Sequence, residues 1–365
     1  MTIETNITKM LGIKAPIVTA PMGPFYTTDL CVAASEAGGL GVLSHTTISR
    51  GEDIGDKTVA ARIGVNAVKS MKQNMEYVVE HTDKPFGFNI RTSRNELQAK
   101  ELCTKIPRFI KDNQRIREQC VYALTSAGSS RMLPENKRFQ ELKEVSEIKH
   151  FHVAPALWLA DKCVATKVDG LVITGGEGGG HQSFEKVSTL VLLQQIQQKY
   201  PDYPVIACGG FATGAGLAAA LTMGAGAIAM GSRFIASKDS EFHEGYKSVI
   251  PPAKAQDTIY TAGVLGPIRL WKNEYSLHHA AVGSKEELMA QEEALRKLPP
   301  EKYTEELLKV ADAYLAAYRG DIKSGAVLLG QSIGIINSIE KASDIVNQIV
   351  SDAEKLLKKA AGYIK

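Results

Sequence analysis

The chain has 365 residues, 44% of them hydrophobic and 23% charged, enough apolar material for one large core rather than a disordered chain. Its 43 basic and 40 acidic residues leave a net charge of +3 and no basic tract, which excludes a polyanion-binding protein, so nucleic acid is not an expected partner. Cys31, Cys103, Cys120, Cys163 and Cys208 are scattered and odd in number, without C-x-x-C spacing, which argues against a disulfide framework or a zinc site; no metal is expected.

The N-terminus carries Glu4 and lacks a basic segment followed by an apolar run, so no signal peptide is read there and a cytoplasmic location is expected. Residues between Asp202 and Arg233 are uncharged, yet Gly209, Gly210, Gly214, Gly216, Gly224, Gly226 and Gly231 interrupt them. That stretch reads as strand, helix, strand, and no membrane span is expected.

Short apolar runs predict strands near 15–20, 39–44, 85–90, 120–125, 150–155, 169–174, 203–208 and 226–231. They are apolar throughout rather than alternating, as in a parallel sheet covered by helices. Helical patterns fall between them: 95–112, opened by Asn95; 189–199, capped by Ser188 and ended by Pro201; and 214–223, capped by Thr213 and stopped by Gly224. Eight alternating β and α units predict a (β/α)₈ TIM barrel over residues 1–240. Residues 241–320 are polar and helix-forming, with EELMAQEEALRKL and TEELLKVADAYLAAYRG as amphipathic stretches, and predict a smaller helical subdomain inserted over the barrel mouth. Residues 321–365 turn apolar again, with Ile339, Ala342, Ile345, Val346, Ile349 and Val350 in one helical stripe, and are expected to return to the barrel.

Chemistry-bearing residues cluster at strand ends. The seventh strand ends Cys208-Gly209-Gly210 and the eighth Met230-Gly231-Ser232-Arg233. In TIM barrels the loops after these two strands commonly bind phosphate, because glycine lets backbone N–H groups approach its oxygens closely. Arg233 is placed to add positive charge. After the sixth strand comes Thr174-Gly175-Gly176-Glu177-Gly178-Gly179-Gly180-His181, a loop free enough to wrap a flat ring system with His181 at its tip. An enzyme of the IMP dehydrogenase type needs a nucleophilic cysteine in that loop, which holds none.

The G-x-E-x-G-G-H stretch, with APIVTAPMG at 15–23, SEAGGLGVLS at 35–44, PFGFNI at 85–90, residues 204–237, GVLGPIRLWKN at 263–273 and GAVLLGQSIGIIN at 325–337, resembles the nitronate monooxygenase (2-nitropropane dioxygenase) family. The same superfamily contains FMN-dependent enoyl-ACP reductases. The resemblance implies FMN as cofactor. Ala20, Pro21, Met22, Gly23, Asn89, Thr125, Gly175, Gly180 and Gln331 would lie along it, Gly209, Gly210, Gly231 and Ser232 would hold its phosphate, and His181 would be the catalytic residue. Ser332 lies in the same C-terminal motif. The implied reaction is oxidation of alkyl nitronates with O₂. The alternative is an NAD(P)H-dependent enoyl-thioester or quinone reductase, and a less favoured one is a flavin- or phosphate-binding protein without turnover. Partners would be small molecules, with the protein a monomer or homodimer. Departures from the family pattern fall at Gly176 and Gly178, at Thr125-Ser126-Ala127-Gly128 and at Ala154-Pro155-Ala156-Leu157-Trp158, and leave the phosphate motif intact.

Overall fold

The computed structural model describes residues 3–48, 66–93, 96, 98–263, 266–278 and 284–364. Eight parallel strands carry the fold: β1 (Ile17–Thr19), β2 (Gly41–Leu43), β3 (Phe86–Arg91), β4 (Cys120–Ser126), β5 (Lys149–Ala154), β6 (Gly170–Thr174), β7 (Val205–Cys208) and β8 (Ala227–Met230). From β2 to β8 each strand pairs with its chain neighbour, and β8 pairs back onto β1. Closure comes at Leu40, just before β2, whose N–H donates to Ile17 O while its carbonyl accepts from Thr19 N–H, both at 2.9 Å. The expected (β/α)₈ barrel is the fold observed.

Strand alternation divides the side chains into two sets. Val18, Val42, Tyr122, Leu124, Phe151, Val172, Ile206, Ala227 and Ala229 fill the lumen. Their neighbours, such as Phe88, Ile90 and Ala123 on one side and Ile173, Ala207 and Ile228 on the other, pack against the helices. Before β1 the short helix Asn6–Leu11 sets Ile7 and Leu11 against the lumen core, and the Thr5 hydroxyl donates to Gly226 O at 2.7 Å. Gly226 immediately precedes β8, so this helix plugs the amino-terminal end of the barrel. The carboxyl-terminal mouth is left for a site.

The helices at Thr189–Lys199 and Gly214–Thr222 form where Ser188 and Thr213 supply N-caps, each side chain accepting a backbone N–H of its first turn. Of the segment expected at 95–112, Ala99–Asp112 is helical; Asn95 lies outside the described residues. The C-terminal helix Ala342–Ala361 buries Ala342, Ile345, Val346, Ile349, Val350 and Ala353. It presses on Gly214, where a Cβ would lie 2.6 Å from Asp352 Cβ, so only glycine fits there.

Residues 241–320 are not purely helical. Thr258–Gly263 and Gly266–Trp271 form an antiparallel hairpin ahead of the helices Lys285–Arg296 and Pro300–Tyr318. The hairpin's second strand pairs with Gly180–His181, Ile268 opposite His181 and Arg269 opposite Gly180. The insertion thus grips the glycine loop by backbone hydrogen bonds.

Candidate active site

Five glycine-bearing segments meet at the mouth. After β1, Ala20 N–H donates to Met230 O at 3.0 Å and Met22 N–H to Ser44 Oγ at 2.8 Å, so Ala20–Gly23 runs from the end of β8 to the end of β2. A Cβ on Gly23 would stand 2.6 Å from His45 O, which enforces glycine. After β7, Gly209 and Gly210 hold φ of +90° and +86°, a backbone region that disfavours side chains. After β8, Gly231 precedes Ser232, whose Oγ accepts the N–H of Gly330 at 3.0 Å. Gly330 packs into the glycine loop, where an added Cβ would meet Glu177 O at 2.7 Å, and Gln331 N–H donates to that same carbonyl at 2.8 Å.

The loop is held from three sides. Glu177 accepts from Thr189 N–H at 2.9 Å, at the N-terminus of the following helix, and Arg269 Nε donates to Gly176 O at 2.8 Å. Gln182 Nε2 folds back to Gly178 O at 2.7 Å. His181 follows, its ring edge-on to Tyr314 with centroids 6.4 Å apart. Protein surrounds the imidazole, yet it keeps an exposed face, as expected of a group lining an indentation. Desolvation and the nearby Arg91 guanidinium push its pKa down to about 4, so the ring is neutral at physiological pH.

Asn89 and Arg91 share the lumen face of β3. The Asn89 amide donates to Leu124 O and to Ser126 Oγ, both at 3.2 Å, which fixes its side chain. Arg91 sits beyond it with Nη2 2.9 Å from Glu96 Oε2. His45 accepts the Arg91 N–H at 3.0 Å, and burial, then Arg91, holds its pKa well below the ordinary value.

Ala20, Pro21, Met22, Gly23, Asn89, Gly175, Gly180, His181, Gly209, Gly210, Gly231, Ser232 and Gln331 therefore fall on the loops and strand ends of one mouth. Thr125 does not join them. It alternates with the lumen residue Leu124, and its hydroxyl is held at 2.7 Å from both His150 Nε2 and His152 Nδ1 in the helix-side layer. Arg233 is also turned away: buried, it pairs with Glu340 and donates to Ala236 O and Ser338 O at 3.1 and 3.0 Å, tying the C-terminal segment to the barrel. The sequence reading missed Ser126, Arg91, His45 and Tyr314. Ser126 and Arg91 carried a signal, since each shares strand parity with a lumen residue two positions earlier. Tyr314 carried none, because only the fold of the insertion brings it to His181.

The fold is that of a (β/α)₈-barrel enzyme, in which loops after the strands commonly carry the chemistry. The chain belongs to the nitronate monooxygenase family, whose model matches residues 4–352, and it is an oxidoreductase. It is 28% identical, over 100% of both chains, to a Mycobacterium tuberculosis protein named (3aS,4S,5R,7aS)-5-hydroxy-7a-methyl-1-oxo-octahydro-1H-indene-4-carboxyl-CoA dehydrogenase. A nitronate monooxygenase of Paraburkholderia phytofirmans is 29% identical over 70% of this chain and 73% of its own. Among solved structures, FabK from Thermotoga maritima matches with a TM-score of 0.76 and 27% identity over the whole of both chains. Among the described residues no helix is long and apolar enough to cross a membrane, and no group of three or more His, Cys, Asp or Glu is placed to hold a metal.

Proposed function

We propose that this protein is an FMN-dependent oxidoreductase that oxidises alkyl nitronates with O₂. The observation that carries the reading is the placement of His181, held by the hairpin at the tip of the glycine loop, in the same mouth as the two glycine turns. A cofactor with one phosphate fits those turns: Gly209 and Gly210 adopt a conformation that opens backbone to an anion, and the Ser232 hydroxyl, accepting from Gly330, keeps its own proton to donate. Ala20–Gly23, Asn89, Gly175, Gly180 and Gln331 would border the ring system. FMN bound there supplies the electron-transfer chemistry.

The chain's own groups supply orientation and charge. A nitronate arrives already deprotonated, so its oxidation needs no strong base. A neutral His181 suits that substrate, donating a hydrogen bond to an anionic oxygen without first taking a proton. Tyr314, on the helix Pro300–Tyr318, lies edge-on to the ring.

A second reading, an NAD(P)H-dependent reductase of enoyl thioesters, is favoured by the end-to-end likeness to a protein named as a carboxyl-CoA dehydrogenase and to FabK. Anaerobic mixing of the FMN-loaded protein with propionate-3-nitronate, NADH and NADPH separates the two. Bleaching of the flavin band by the nitronate and by neither nicotinamide is expected. Bleaching by NADH or NADPH alone, with colour restored by crotonyl-CoA, would replace the first reading by the second.

A further inference from the structure

We infer that Arg91 is the substrate-anchoring residue of this mouth, and that it selects compact anions presenting a pair of oxygens, as nitronates and carboxylates do. The inference rests on the oxidoreductase reading above and names the group that would make it specific.

Arg91 ends β3 on the lumen face, two residues beyond Asn89, and its main chain is pinned by the bond from its N–H to His45 Nδ1. Its side chain is 33% exposed, so it borders open space rather than a sealed core. The pairing with Glu96 is a single contact at 2.9 Å from Nη2. Its Nε is buried and has no partner among the described residues. A guanidinium is a planar fork suited to bidentate contact with an oxygen pair, and a buried N–H without a partner costs free energy that a ligand oxygen would recover. Three further groups feel its charge: His181 on the glycine loop, His45 after β2 and Tyr314 on the insertion. Glu96, 3.7 Å from His45 Nε2, is the carboxylate that a bound anion would compete with. Positive charge in the mouth is thus supplied by Arg91, while His181, kept neutral by desolvation and then by Arg91, is left for hydrogen bonding.

The test uses calorimetric titration of the purified protein with propionate and with neutral, near-isosteric propionamide, neither of which reacts. Wild type should bind propionate at least about tenfold more tightly than propionamide. Arg91→Gln should weaken propionate about 10- to 100-fold, the equivalent of one charge-assisted contact. Arg91→Lys, keeping charge but losing the fork, should fall between. Glu96→Gln should strengthen propionate binding by removing the competing carboxylate. NMR titration of His181 gives a second readout independent of turnover, its pKa rising in Arg91→Gln while desolvation still holds it below the ordinary value. Wild-type propionate affinity in Arg91→Gln, or equal binding of propionate and propionamide by wild type, overturns the inference. If propionate binding follows Arg91 while nitronate fails to bleach the flavin, the anchor stands and the nitronate reading falls.

Discussion

Thr189 joins the glycine loop, the end of β7 and the start of a helix through one side chain. Its hydroxyl lies 3.1 Å from both Glu177 Oε2 and Cys208 O and accepts Gly175 N–H at 3.0 Å, while its own N–H donates to Glu177 at 2.9 Å. Glu177 is thus an acidic cap supplied from outside the helix it caps, where its charge faces the positive end of the helix dipole. A Cβ on Gly175 would fall 2.1 Å from Thr189 N, so the loop and the helix end are packed as one unit.

Glu177→Ala should therefore loosen the loop without unfolding the barrel. Losing the cap should cost about 1–2 kcal/mol, and FMN should be held about tenfold less tightly. Glu177→Gln keeps the acceptor and loses only the charge, so its effect should be smaller. Equilibrium dialysis of FMN against both variants checks the order; equal affinity in all three proteins would show that loop and cofactor are independent.

Gly210→Asp should abolish FMN retention while leaving a folded barrel. An added Cβ would sit 3.6 Å from Glu177 Cβ, an ordinary contact, so crowding is not the obstacle. The φ of +86° adds strain of roughly 1–2 kcal/mol, and the new carboxylate repels a phosphate. Gly210→Ala carries the strain alone and should retain FMN at reduced affinity. A yellow Gly210→Asp protein with unchanged affinity would move the phosphate elsewhere.

The barrel itself was readable because eight apolar runs, with helix signals at 95–112, 189–199 and 214–223 between them, leave few other arrangements. Side-chain direction was less readable, since an apolar-throughout strand does not say which parity faces inward: Thr125 was expected at the cofactor, but Tyr122 and Leu124 fill the lumen, which puts Ser126 there instead. Arg233 misled for a related reason. It follows the phosphate motif directly, but the short helix Ser232–Ile235 turns it toward Glu340. The hairpin at 258–271 hid within a polar, helix-forming region, and its partner strand is two residues of a glycine loop, a long-range pairing that no local pattern encodes.

Thr125→Val tests the parity directly. Removal of the hydroxyl leaves the ring nitrogens of His150 and His152 that it joined without partners, at a cost of roughly 1–3 kcal/mol, with FMN retention unchanged. Urea melts and dialysis measure the two effects on one variant. Loss of FMN with unchanged stability would restore Thr125 to the cofactor site.

The same pair predicts a pH dependence of stability. Burial pushes the pKa of His150 down to about 3 and that of His152 to about 4, with charge from His152 and Lys143 adding to the former. The folded protein keeps both rings neutral, whereas the unfolded chain takes up protons near pH 6.5. Their contribution is therefore complete above about pH 6.5 and is lost as the pH falls toward 4, by up to about 1.4 kcal/mol per unit for each ring. Urea midpoints between pH 4 and 8 should fall on the acid side, and His152→Gln should flatten the slope. A midpoint independent of pH over that range would contradict the buried neutral state.

His181→Ala should leave FMN binding nearly intact and slow the anaerobic half-reaction on the order of 10²–10⁴-fold, the range for losing a positioned hydrogen-bonding or acid–base group. His181 is held opposite Ile268 by the neighbouring main-chain bond from Gln182 N–H to Pro267 O at 2.8 Å, which alanine at 181 preserves, so the loop should hold its place without the imidazole. A purely structural role predicts otherwise: flavin affinity and thermal stability would then fall together with the rate. With a pKa near 4, wild-type His181 is neutral throughout the range from pH 5 to 8. The half-reaction should accordingly show no inflection near 6.5 and should decline only as the pH approaches 4, where the imidazolium forms. Arg91→Gln should move that decline upward in pH, because the charge that opposes protonation is gone. Stopped-flow bleaching with propionate-3-nitronate across this range measures all three proteins, and a wild-type rate in His181→Ala would remove the residue from the mechanism.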